Sequence, residues 1–157
     1  MIRYKTPEVE REFNNPRQTD PRLYGMVHAL AVFVQSTMGK DIWLTDVARY
    51  TGRLDSPHRI HEGNPLSRAV DIRCHHGYFT ERELLIIQHW LRDNFPRSDM
   101  ARYEPGGDTP IDNWLGVSRV HGEGDNEHIH VTVERRAQLW AAVGYVKLDV
   151  EAIPFDG

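Results

Sequence analysis

The sequence predicts a single α+β domain, with a largely antiparallel sheet that carries helices on one face and a metal-binding groove on the other. Helical and strand-like segments are mixed along the chain, without the regular strand–helix–strand order of a parallel sheet. The 157 residues suffice for one domain with one hydrophobic core. Residues 1–157 are therefore interpreted as one unit, in which residues 1–19 form an irregular N-terminal arm.

The first predicted helix begins after Asp20, a favourable N-cap that is followed by Pro21 at the first helical position. It continues to Gly39, a residue type that commonly ends helices. Apolar residues recur at helical spacing along it and define its predicted buried face: Leu23, Met26, Val27, Leu30, Phe33 and Val34.

The second predicted helix follows Thr80 and Glu83, which have the spacing of a capping box. It ends near Phe95, which precedes a proline. Its predicted buried residues are Leu84, Leu85, Ile87, Trp90 and Leu91.

Four segments are rich in apolar and β-branched residues and predict strands. Glycine and proline in the segment between the first two favour a long loop over residues 50–67. A short helix is also predicted near the end of the chain, over residues 135–144. The predicted strands are 41–49, 68–74, 114–120 and 127–134.

Composition excludes several classes of protein. The net charge of −4 gives no indication of a broad nucleic-acid-binding surface. The only cysteine is Cys74, so an intrachain disulfide is excluded. The first twenty residues are polar and lack the apolar stretch of a secretory signal, and no segment approaches the length of a membrane span. We therefore expect synthesis in the cytoplasm without membrane insertion.

The alternation of apolar and polar residues along two predicted strands indicates which face of the sheet carries the candidate functional side chains. Because successive side chains point to opposite faces of a sheet, Asp71, His128 and His130 lie opposite the apolar residues of their strands. If helices cover the apolar face, these three side chains converge on the other face. The apolar residues that define the core face are Val70, Ile72, Ile129, Val131 and Val133.

Two imidazoles and a carboxylate are suitable ligands for Zn²⁺, and three protein ligands leave a fourth position open for chemistry. The alternative interpretation has no metal. In it, His128 and His130 form an exposed polar face, and Asp71 pairs with Arg68 or Arg73.

Three short motifs add a family resemblance. Ser56-Pro-His58, Arg68-Ala-Val-Asp71 and Glu127-His-Ile-His130 resemble the motifs of the zinc D-Ala-D-Ala carboxypeptidase and dipeptidase family. That family belongs to a wider group that includes lysostaphin-type peptidases and the hedgehog zinc domain. The resemblance covers roughly residues 41 to 134.

The resemblance implies zinc-dependent hydrolysis of peptidoglycan peptide bonds that involve D-amino acids. By position in the motifs, Asp71 and His130 correspond to zinc ligands, and Glu127 corresponds to the catalytic general base. His128 matches an additional histidine of some members, and Arg49 matches an arginine that holds substrate. Strand alternation points Glu127 away from the two histidines, so His128 remains the alternative proton carrier.

The first zinc ligand departs from the family pattern. The family usually places six residues between this histidine and the aspartate, whereas twelve residues separate His58 from Asp71 and nine separate His61 from it. Ser67 also stands where the family has glycine. A longer loop can still return a ligand, because closure entropy grows slowly with length. His58 keeps the Ser-x-His context and is favoured, with His61 as the alternative.

Small members without a signal peptide are typical of phage lysis and virion genes. The resemblance therefore implies a protein that acts on the cell wall after release from the cytoplasm or as part of a virion. The altered loop favours a competing hypothesis, a non-catalytic metal-binding or virion structural module on the same fold.

Overall fold

A computed structural model describes residues 1–95, 118–121 and 127–133. These residues form an α+β fold with three α-helices and a five-stranded mixed sheet. The first half of the strand predicted over 114–120 and the helix predicted over 135–144 lie outside the described residues. Within the described part of the chain, no helix combines the length and apolarity needed to cross a membrane.

The elements follow one another in a simple order. In the first half of the chain they are β1 (Ile2–Tyr4), α1 (Pro7–Phe13), α2 (Pro21–Met38) and β2 (Ile42–Asp46). They are followed by β3 (Ala69–Arg73), a 3-10 turn (His75–Gly77), α3 (Glu81–Asn94), β4 (Ser118–His121) and β5 (His128–Thr132).

The sheet has the strand order β1-β2-β3-β5-β4. The pairs β2–β3, β3–β5 and β4–β5 are antiparallel, and β1–β2 is parallel. The prediction of a largely antiparallel sheet is thus confirmed, although the sheet is not purely antiparallel. The parallel pair arises because α1 and α2 lie between β1 and β2 and return the chain in the same direction.

The prediction of an irregular arm over residues 1–19 is wrong. Thr6 caps α1 by accepting a hydrogen bond from the Val9 amide, and Pro7 occupies the first helical turn. Val9 and Phe13 are buried in the core. β1 and α1, which lie in this segment, are too short to show a hydrophobic period in the sequence. Pairing with β2 stabilises β1, and burial of Val9 and Phe13 in the core stabilises α1.

The first predicted helix is confirmed in type and in both limits. The Asp20 side chain accepts from the Arg22 amide at the N-terminus of α2. Gly39 ends the helix with φ of 66°, a left-handed conformation that glycine adopts without strain. The buried residues of α2 are Leu23, Met26, Val27, Leu30, Ala31 and Val34.

The second predicted helix is also confirmed, with both hydrogen bonds of its capping box present. One predicted core residue is wrong, since Leu85 is 46% exposed. Ile87 and Leu91 are buried four residues apart on one side of α3, and Leu85 lies off that side.

The three helices and one face of the sheet enclose the hydrophobic core. Apolar side chains from alternate positions of β2, β3 and β5 pack there against buried residues of all three helices. The other face of the sheet carries polar side chains, which positions a candidate site opposite the helices. The sheet residues of the core include Ile42, Leu44, Val70, Ile72, Ile129 and Val131.

Candidate metal centre

The central strands bring two of the predicted ligands side by side. In the antiparallel pair β3–β5, Asp71 lies directly opposite His130. Asp71 is 5% exposed, so its carboxylate is held almost entirely out of solvent. Burial of a carboxylate in this way requires charged or hydrogen-bonding partners.

His58 reaches the same place from the long loop between β2 and β3. The Arg49 amide donates to the His58 carbonyl at 2.9 Å, and the Ile60 amide donates to the Arg49 carbonyl at 2.8 Å. A third backbone bond joins the Arg68 amide to the Pro57 carbonyl at 2.9 Å. These bonds hold His58 between the end of β2 and the start of β3.

The three candidate ligand atoms form a small triangle. His58 Nε2 lies 3.2 Å from Asp71 Oδ1, His130 Nδ1 lies 3.0 Å from the same oxygen, and the two nitrogens are 3.4 Å apart. Zinc bonds of about 2.0–2.1 Å in a tetrahedron separate neighbouring ligand atoms by about 3.3 Å. The spacing of this triad therefore matches one face of a tetrahedral zinc site.

Hydrogen bonding orients the His58 ring toward the triangle. His58 Nδ1 is 2.8 Å from the Val47 carbonyl oxygen, which only accepts, so Nδ1 carries the proton and donates. In the neutral ring, Nε2 then presents its lone pair to the Asp71 carboxylate and to His130. Electron pairs that face one another in a buried space need a shared cation, which is either a proton on an imidazole or a metal ion that all three side chains hold.

Burial and hydrogen bonding shift the pKa values of all three side chains of the triad. Burial raises the pKa of Asp71, but hydrogen bonds from His130 and His58 outweigh it and hold that pKa well below its usual range. Burial lowers the pKa of His58, yet the Asp71 carboxylate raises it to a net value above the ordinary one. Burial dominates at His130 and lowers its pKa, which favours the neutral ring that a metal requires.

His61, the alternative first ligand, does not join the triad. Its ring lies between the Leu54 carbonyl, 2.9 Å from Nε2, and the Gly63 amide, which donates to Nδ1 at 3.1 Å. The His61 and Asn64 backbones also bond to each other in both directions. The additional residues of the loop thus form a closed turn that retains His61, and His58 is the histidine of this loop that joins the candidate triad.

Two grooves meet at the triad. The first, about 430 Å³, is lined by Arg53, Asp55, Ser56 and other residues of the long loop. The second, about 450 Å³, extends along the open face of the sheet. Both grooves share the same three side chains at their junction: Arg49, Asp71 and His128.

Arg49 and His128 lie beside the triad. Arg49 is about half exposed, and its guanidinium is ion-paired with Asp46 and lies 3.5 Å from Asp71 Oδ2. His128 Nε2 lies 3.6 Å from Asp71 Oδ1. Both side chains therefore occupy positions from which they can contact a ligand that reaches the metal centre.

Glu127 is placed differently from the other predicted site residues. It lines the second groove with His128, but its carboxylate accepts a hydrogen bond from Cys74 Sγ at 3.5 Å. Burial, together with this carboxylate, raises the pKa of the Cys74 thiol to about 12. Glu127 precedes the first residue of β5, and its partner Cys74 belongs to the buried core.

Two contributors to the site were not anticipated. The Val47 carbonyl orients His58 and also accepts from the Ser67 hydroxyl at 2.6 Å, so it joins the loop to the start of β3. Arg73 lines the second groove beside His128. Strand alternation already places Arg73 on the face of Asp71, and this was the available sequence signal.

Fold and site together define an α+β protein with a candidate His–Asp–His metal centre on the open face of its sheet. Compared with known proteins, the chain matches no protein-family model, no curated protein and no solved structure at a significant level.

Proposed function

We propose that this protein is a zinc-dependent peptidase that hydrolyses peptidoglycan peptide bonds involving D-amino acids. The observation that carries the proposal is the triangle of His58 Nε2, Asp71 Oδ1 and His130 Nδ1, whose sides of 3.0–3.4 Å suit one zinc ion. The motif resemblance to zinc D-Ala-D-Ala peptidases supplies the substrate class. The two grooves supply space for a peptide on either side of the triad.

The residues present fit a catalytic zinc ion. Two neutral imidazole nitrogens and one carboxylate oxygen are the donor set of an open catalytic site. When bound, zinc supplies Lewis acidity that polarises a carbonyl group and acidifies water. His58, Asp71 and His130 would hold the ion, and the Val47 carbonyl would keep His58 in the required tautomer.

The proton transfers of amide hydrolysis need a base beside the scissile carbonyl. Glu127 and His128 are the two candidates, and both line the second groove. Glu127 carries the motif resemblance, whereas His128 lies closer to Asp71. Arg49, between the two grooves, would hold a substrate carbonyl or carboxylate through its planar guanidinium.

A non-catalytic metal module remains the second candidate, and the placement of Glu127 favours it. A carboxylate engaged with Cys74 does not serve as a base until its side chain turns toward the triad. Such a module would hold zinc equally well, so metal binding and hydrolysis must be measured separately.

The test compares Asp71→Ala with Asp55→Ala, which removes an exposed carboxylate from the first groove. We expect about one zinc per chain by elemental analysis in the unaltered protein and in Asp55→Ala, and none in Asp71→Ala. Only the proteins that bind zinc should release peptides from purified peptidoglycan, and a chelator should stop this release. No zinc in the unaltered protein after zinc addition would overturn the metal site. Full zinc without any release of peptides would favour the non-catalytic module.

A further inference from the structure

We infer that Arg73 is the binding site for a free carboxylate on the peptide that occupies the second groove. This inference rests on the proposed function, since it names the chemical group that the substrate must carry. Arg73 has no role in the metal triad, and the motif resemblance does not include it. Arg73 is distinguished by its position, by a guanidinium with no ion-pair partner among the described residues, and by the planar shape of that group.

Arg73 lies on the same face of β3 as Asp71, two residues further along the strand. It is paired in register with His128 of β5, and both side chains line the second groove. A strand rises about 3.3–3.4 Å per residue, so the backbone of Arg73 is about 7 Å from that of Asp71. A peptide that lies in the second groove can therefore contact both Arg73 and Asp71.

The guanidinium of Arg73 is held in place, and no carboxylate in the described part of the chain forms an ion pair with it. It stacks on the Trp43 ring, with its central carbon 5.0 Å from the ring centroid. Its Nε is buried and has no hydrogen-bond partner among the described residues. Arg22 and Arg59 also contain one such nitrogen, but their guanidinium groups bond to Asp20 and to the Ile60 carbonyl respectively.

An arginine nitrogen removed from water without a partner is costly to the fold. A carboxylate offers two oxygens that match the fork of a guanidinium, and the stacked Trp43 ring presets the plane in which that fork lies. Pre-orientation lowers the entropy lost on binding. The arrangement therefore suits a planar anion better than a neutral amide.

The charges around Arg73 also favour an anion. Lys5 lines the same groove and adds a second cation. Three acidic residues also line the groove, but Asp46 is ion-paired with Arg49, Glu127 is engaged with Cys74, and Asp71 belongs to the candidate metal triad. The carboxylate bound here is either the terminus of the peptide or an acidic side group next to the scissile bond.

Three small probes distinguish these sources by calorimetric titration of the full chain. N-acetyl-D-alanine carries a terminal carboxylate, its amide carries none, and the α-amide of N-acetyl-D-glutamic acid carries only a side-chain carboxylate. We expect one of the acids to bind at least about tenfold more tightly than the amide. The same probe should shift the Arg73 Nε–H resonance in an NMR titration.

Arg73→Gln should abolish the preference for the acid, and Arg73→Lys, which keeps a stacked cation, should retain part of it. Arg3→Gln is the matched control, because Arg3 of β1 is the register partner of Trp43 but is already paired with Asp41. Any attraction of a carboxylate to the metal is common to all variants and cancels when acid-to-amide ratios are compared.

Equal binding of acids and amide, or an undiminished preference in Arg73→Gln, would overturn the inference even if the protein hydrolyses peptidoglycan. Conversely, the protein could show a preference for the acid that depends on Arg73 and yet have no hydrolytic activity. That result would support the carboxylate site and contradict the proposed function.

Discussion

At the scale of single residues, the assignment of the proton carrier depends on which way two neighbouring side chains of β5 point. His128 faces the triad, with Nε2 3.6 Å from Asp71 Oδ1, whereas Glu127 contacts Cys74. Strand alternation predicts this difference directly. The motif resemblance nevertheless assigns the base to Glu127, whose place before the first residue of β5 leaves its backbone outside the strand.

Paired substitutions separate the two candidates. Glu127→Gln keeps size and hydrogen-bonding shape but removes the basic carboxylate. If Glu127 turns toward the substrate and acts as the base, we expect zinc to be retained and kcat to fall by roughly 10²–10⁴-fold. His128→Ala should then have the smaller effect. Measurement of kcat together with zinc content tests this order, and near-normal turnover by Glu127→Gln beside an inactive, zinc-replete His128→Ala would assign the role to His128.

At the scale of elements, an ion pair joins Lys40, the residue after the C-cap of α2, to Glu83 of α3 and also completes a helix cap. Lys40 Nζ lies 2.7 Å from Glu83 Oε2, and the same oxygen accepts from the Thr80 amide at 2.8 Å. The hydrogen bond from Lys40, followed by that from Thr80, lowers the pKa of Glu83 below its ordinary value of 4.5. The folded state is therefore stabilised by the ionised form of Glu83.

This lowered pKa predicts a stability difference that depends on pH. A depressed folded pKa contributes stability that is complete above the unfolded value of 4.5 and is lost as the pH falls through the folded value. Glu83→Gln keeps a residue that completes a capping box but loses the ion pair. At pH 7 we expect a loss of about 0.2–1 kcal/mol of unfolding free energy, since the pair is partly exposed.

Urea unfolding at pH 7 and at a pH well below 4 measures the effect of Glu83→Gln. The difference from the unaltered protein should disappear at the lower pH. Glu81→Gln is the control, because Glu81 is an exposed acidic residue in the first turn of the same helix. An equal pH-dependent loss in Glu81→Gln would indicate that general helix-terminal charge, and not the Lys40 ion pair, causes the effect.

At the scale of the whole molecule, the metal triad joins segments that are distant in sequence. His58 belongs to the long loop, Asp71 to β3 and His130 to β5. A ligand that binds only when these segments are assembled stabilises the folded state by mass action. Zinc should therefore act as a reversible link between the loop and the centre of the sheet.

Thermal unfolding with and without zinc tests this link, and His58→Ala and His61→Ala form a matched pair. At zinc concentrations about 100 times Kd, we expect stabilisation of about 2.7 kcal/mol and a higher Tm in the unaltered protein. His61→Ala should keep this gain, because His61 is bonded within its own turn. His58→Ala should lose it. The reverse order would show that His61 is the first ligand.

The sequence by itself determined those features that depend on neighbouring residues. The limits of α2 follow from Asp20, Pro21 and Gly39, which act on the helix ends locally. The common face of Asp71 and His130 follows from the period of two in a strand. The type of fold and the donor chemistry of the site could therefore be predicted.

Only the tertiary structure decided the features that depend on contacts between distant segments. β1 forms because it pairs with β2, and His58 joins the candidate triad because the Val47 carbonyl orients its ring while a closed turn retains His61. Whether the Arg73 Nε has a hydrogen-bond partner depends on the residues that line the groove around it, and none of the described residues is such a partner. These outcomes arise from packing and hydrogen bonds across the fold, and no local pattern of the sequence specifies them.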